Sequence, residues 1–148
     1  MNEISDIAHV IQLSVAPVFL LAGIGSLLGV VTTRLARVID RARILEERAL
    51  APRNEEEGAR IRAELISLDR RMHLAQRAVG LFSTAALLVC FVIATMFIGD
   101  FIHAPVGALV AVMFIAAMLA MAGGLMLFLR EIQIGIRALK VRAELMSK

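Results

Sequence analysis

The chain of 148 residues has one cysteine, Cys90, and only three prolines. A lone thiol cannot close an intrachain disulfide, so a disulfide-stapled scaffold is excluded. Charge is scarce too. Only 20% of residues are charged against 59% hydrophobic, where a soluble domain averages about a quarter charged and ~45–50% apolar. The shortage is concentrated in residues 10–33, 78–99 and 106–129, which hold no charged side chain. Each would rise ~33–36 Å as a helix, enough to cross a hydrocarbon core of ~30 Å. The sequence therefore predicts an all-α integral membrane protein with three spans. It excludes a soluble enzyme domain and a nucleic-acid module. Cys90 falls in the middle of the second span and reads as a buried free thiol.

Basic residues are missing from two places and crowded into two others. All 16 Lys and Arg lie in 34–77 and 130–148, while 1–9 and 100–105 have none. The positive-inside rule then puts 1–9 and the 100–105 turn outside and both basic segments in the cytoplasm. The start of the chain does not read as a secretory signal, because it is acidic and no small-residue cleavage site follows the apolar run.

The basic segments carry apolar residues at steps of three and four, the spacing of a heptad seam. They are Leu35, Val38, Ala42, Leu45 and Ala49, then Ile61, Leu65, Leu68, Met72, Ala75 and Val79, then Ile132, Ile136, Leu139, Ala143 and Met146. Pro52 stops the first run, and Asn54 with Glu57 resembles a capping box that starts the second. The predicted order is span 10–33, a cytoplasmic helical hairpin 34–77 turning at 51–56, span 78–99, turn 100–105, span 106–129 and helical tail 130–148. If each span continues into its seam, three helices over 10–51, 57–99 and 106–148, ~42–43 residues each and ~63 Å long, form an up-down-up bundle whose inner halves make a cytoplasmic coiled-coil stalk. The alternative is that the helices break near Thr33, Gln76 and Arg130 and leave amphipathic pieces on the membrane.

Several residues resemble those of a known family. The run from Thr32 to Leu45 (TTRLARVIDRARIL), Ala16-Pro17, Arg70-Arg71, Gln76-Arg77-Ala78-Val79 and Leu87-Leu88-Val89-Cys90 are similar to the signature of a bacterial membrane family catalogued as domain of unknown function 2721. Thr33 departs from it, in a position where Asn is expected. The resemblance implies a small inner-membrane protein and no particular activity.

The first span presents Ala22, Ser26, Gly29 and Thr33 on one face, and Gly25 with Gly29 forms a G-x-x-x-G. Small residues let helices approach closely in lipid, so this face either packs against another helix or lines a polar pore. Pro17 kinks or loosens the span, with Ser14 placed to satisfy a freed carbonyl. Arg34, Arg37, Arg77 and Arg130 mark the inner boundary, as topological anchors that contact anionic lipid head groups or as a ring at a pore mouth. No span holds an ionisable residue, which argues against active transport. Glu3, Asp6, His9, Asp100 and His103 could meet a divalent cation but lack ligand spacing, and read better as solvated residues. No metal, cofactor or catalytic residue is expected: there is no nucleophile elbow, no H-E-x-x-H and no phosphate loop. The expected partners are the lipid bilayer and further copies of the chain, with no nucleic acid. The function expected is a homo-oligomeric structural or interaction protein, with a passive channel lined by the first span as the alternative.

Overall fold

A computed structural model describes the backbone of residues 2–102 and 104–146, and the side chains of 11–12, 14–102 and 104–136. The described residues form three helices and no strand: α1, Asn2–Ala49; α2, Glu55–Phe101; and α3, Gly107–Met146. At 48, 47 and 40 residues they rise ~72, ~70 and ~60 Å, about twice a hydrocarbon core. Each is long and apolar enough to cross a membrane, so the chain is a multi-pass membrane protein. The helices run unbroken past Thr33, Gln76 and Arg130. α1 exceeds its predicted length because it starts at Asn2, where no Gly or Pro stops it, and α2 runs two residues further at each end.

The two connections are short and chemically specified. At the end of α1 the amides of Leu50 and Ala51 donate to the carbonyls of Glu47 and Arg48, and Pro52 permits no further turn. Asn54 then caps α2, its side-chain oxygen accepting the Glu57 amide at 2.8 Å. Glu57 reaches back to accept the Arg53 amide at 2.9 Å, one residue earlier than in a standard capping box. α2 ends at Phe101 as the chain approaches Pro105, which restricts the residue before it and lacks an amide hydrogen. The Ala104 amide donates to Gly99 and that of Val106 to Ala104, closing the turn.

Buried residues recur at sevens along each helix: Pro17, Ile24, Val31, Val38 and Leu45 on α1; Ile61, Leu68, Ala75, Phe82 and Val89 on α2; Ala117, Gly124 and Glu131 on α3. A seven-residue repeat keeps one narrow stripe of a helix facing its neighbours. The chain divides into two compact units. In the unit built from 1–29 and 80–123 the buried residues include Ser14, Ile24, Phe82, Ala85, Val89, Val92 and Ala117. In the unit built from 30–79 and 124–148, Val38, Ala42 and Leu45 of α1 cluster with Ile61 and Leu68 of α2, and Leu65 and Met72 pack against them.

Large apolar side chains cover the outside of the first unit, including Phe19 at 74% exposure and Leu119 at 68%. Water would not tolerate such a surface, whereas lipid solvates it. Cys90 is also exposed. The expectation of a buried thiol is corrected to this extent: Cys90 lies one position after buried Val89, outside the stripe that faces the other helices.

Candidate functional site

Among the described residues the most unusual group is Glu131, a carboxylate only 1% exposed. It occupies a buried heptad position of α3, seven residues after Gly124 and three after Phe128, in line with the apolar stripe. Burying an unpaired carboxylate costs several kcal/mol. Two arginines of the same unit offset that cost. Arg71 of α2 donates from Nε at 3.0 Å and Nη2 at 2.7 Å, both to Glu131 Oε1. Arg34 of α1 brings Nη2 to 3.4 Å from Oε2.

The surroundings are shaped for these guanidinium groups. Arg34 lies over the Phe128 ring with Cζ 5.6 Å from its centroid, within the range of a cation–π attraction. Gly135, one turn after Glu131, leaves room for Arg71: a Cβ there would sit 3.1 Å from Arg71 Nη2 and 3.2 Å from Cζ. One residue from each helix therefore meets at one carboxylate. A further pair, Arg41 Nη2 to Glu64 Oε1 at 2.8 Å, joins α1 and α2 nearer their turn, with both side chains about 40% exposed.

The sequence-predicted residues divide into three groups. Ala22, Ser26, Gly29 and Thr33 of α1 are exposed, and a Cβ added at Gly25 or Gly29 would meet nothing within 4 Å. The Ser26 hydroxyl donates to the Ala22 carbonyl at 3.1 Å, as Thr84 does to Gly80, which lets a hydroxyl face lipid without an orphan donor. Pro17 is buried within continuous α1. Of the boundary arginines, Arg34 belongs to the Glu131 cluster, while Arg37, Arg77 and Arg130 are exposed.

Among the seam residues, Val38, Leu45, Ile61, Leu65, Leu68 and Met72 share one cluster, and Leu35 is half-buried. On α3 the expected seam sits to one side of the stripe: Ile132 is half-buried and Ile136 is 52% exposed. The side chains of Leu139, Ala143 and Met146 lie outside the described residues, as do those of Glu3, Asp6 and His9, and His103 altogether. Among the described residues no group of three His, Cys, Asp or Glu is placed to hold a metal ion.

Sequence reasoning missed Glu131. Two signals pointed to it: it is the only carboxylate between Asp100 and Glu144, and it continues the seven-residue step from Ala117 and Gly124.

A family model described as protein of unknown function, DUF2721, matches residues 14–141. No curated protein and no solved structure matches the chain.

Proposed function

The chain belongs to the DUF2721 family, and on that premise we propose that it is a homo-oligomeric structural or interaction protein of the bacterial inner membrane, without catalytic activity. Its N-terminus is outside, its C-terminus is cytoplasmic, and its three helices run up-down-up with their inner halves as a cytoplasmic coiled-coil stalk. The observation that carries this reading is the exposed small-residue face of α1. Gly25 and Gly29 have open space before them, so a second helix can approach the backbone closely, which is how helices associate in lipid. The seam cluster between α1 and α2 supports the stalk.

The test is disulfide crosslinking in native membranes. Ala22→Cys and Ser26→Cys, each in a Cys90→Ser background, are expected to give covalent dimers, while Ile24→Cys, on the buried side of α1, gives few. A strict monomer in mild detergent, together with no crosslinking at 22 or 26, refutes the reading.

The exposed hydroxyls of Ser26 and Thr33 favour a second reading, a passive channel whose pore is lined by α1. The arginines available for its inner mouth are Arg37, Arg77 and Arg130, since Arg34 is engaged by Glu131. Water-soluble thiol reagents would then label a helical stripe of single cysteines along α1, and liposomes containing the protein would pass ions faster than empty ones.

A further inference from the structure

We propose that α2 carries a site for the phosphodiester head group of an anionic phospholipid, formed by Arg70, His73 and Arg77 around Leu74. This inference rests on the cytoplasmic, membrane-proximal placement of residues 34–77 proposed above. These residues line a shallow groove of about 370 Å³, with Asp69 at its lower end. Positions 70, 73, 74 and 77 fall on one face of a helix over two turns. That face lies opposite the buried stripe of Leu68 and Ala75, so the groove opens away from the protein.

Three observations fit the ligand. The first is position: Arg77 immediately precedes the charge-free run 78–99, at the level where a cytoplasmic phosphate layer lies. Arg70 is ~10 Å further along the helix, a gap that a long arginine stem can largely bridge with its head group while its apolar part lies along the protein. The second is availability. Arg34, Arg41 and Arg71 are each taken by a carboxylate, whereas among the described residues neither Arg70 nor Arg77 has an ion pair. The third is charge. Two guanidinium groups and the Asp69 carboxylate leave one positive charge when His73 is neutral, which matches a monoanionic phosphodiester. Asp69, 3.7 Å from His73 Nε2, disfavours a more highly charged terminal phosphate by like-charge repulsion. Leu74 gives the groove an apolar floor, as the glycerol and first acyl carbons of a lipid require.

The experiment uses the full chain purified in mild detergent, with phosphatidylglycerol, phosphatidylcholine or inorganic phosphate added, and counts bound lipid by native mass spectrometry. Phosphatidylglycerol is expected to stay bound where phosphatidylcholine does not, and millimolar inorganic phosphate should not displace it. Arg70→Gln with Arg77→Gln should weaken retention by about tenfold or more, since each removes a charge-assisted hydrogen bond. Arg43→Gln with Arg48→Gln, which removes the same charge elsewhere on the exposed basic segment, should change it less than about twofold. Arg70→Lys with Arg77→Lys should recover part of the binding, and circular dichroism checks that every variant keeps its helices.

Equal losses in the two glutamine pairs would show diffuse attraction and overturn the site. Displacement by inorganic phosphate would overturn the lipid as its ligand. Labelling of Glu56→Cys in a Cys90→Ser background, from one side of intact cells, reports the topology separately. A cysteine reached from outside would defeat the underlying placement, whereas an inward-facing cysteine with no lipid retention would defeat the groove alone.

Discussion

Replacing Glu131 by alanine removes the carboxylate shared by Arg34 and Arg71 and leaves both guanidinium groups without it. Breaking a buried ion pair by deleting one partner costs about 3–5 kcal/mol. That range is reduced here by unequal exposure of the partners. The Arg71 side chain is 20% exposed and recovers little hydration, but that of Arg34 is 40% exposed and can turn to solvent or lipid phosphate, so its share is small. A loss of about 2–3 kcal/mol is expected, a shift of roughly 30- to 150-fold in the folding equilibrium.

Glu131→Gln should lose about half as much, because an amide oxygen in the place of Oε1 still accepts both Arg71 hydrogen bonds, though without charge assistance. The assay is reversible unfolding in mixed micelles of mild detergent and dodecyl sulfate, followed by circular dichroism. A double-mutant cycle isolates the pairs: about 1–2 kcal/mol of coupling between Arg71 and Glu131, and below ~0.5 kcal/mol between Arg34 and Glu131. Leucine at both 71 and 131 should recover most of the loss, as apolar replacement of a whole buried pair often does. A change under ~0.5 kcal/mol for Glu131→Ala, or strict additivity with Arg71→Ala, would refute the argument.

Gly135→Ala gains up to ~1 kcal/mol of helix propensity, but its methyl would press on Arg71. It should be neutral or destabilising in the native chain and stabilising by about 1 kcal/mol after Arg71→Ala, as the same unfolding assay reads. Asn54→Ala should cost about 1 kcal/mol through loss of the α2 cap, seen as earlier unfolding with unchanged helicity at the start. Arg41→Ala breaks an ion pair exposed on both sides and should cost no more than ~0.5 kcal/mol. Gly25→Leu meets no neighbour within the chain, so helicity should be kept while crosslinking at Ala22→Cys falls severalfold.

What the sequence reveals depends on the range of the cause. The three helices follow from runs of residues that water rejects, and their ends follow from Pro52, Asn54 and Pro105, so both could be read locally. The α1–α2 seam was legible for the same reason, since Val38, Leu45, Ile61 and Leu68 are apolar and regularly spaced on either side of a short turn. α3 was harder. A seam traced through apolar residues alone selects Ile132 and Ile136, while the position facing inward is Glu131. Its burial depends on Arg71, 60 residues earlier, and on Arg34, earlier still. No local pattern reports which distant cations will converge on a carboxylate. The charged groove on α2 was half visible: Arg77 stood out at the boundary, but Arg70 and His73 join it only once the helix is known to continue unbroken.

The position of Glu131 in the chain has a consequence for biosynthesis. Arg34 and Arg71 leave the ribosome first, and the residue that neutralises them comes with α3. In the proposed topology, while the first two helices are being inserted, both arginines carry unopposed charge and add their full weight to the signal that holds basic segments on the side of synthesis. Only when α3 arrives does the carboxylate reach them. On that topology the same two side chains serve in turn as an address during insertion and as a clasp afterwards, and a chain cut short before residue 131 is expected to insert in the same direction but stay unfastened.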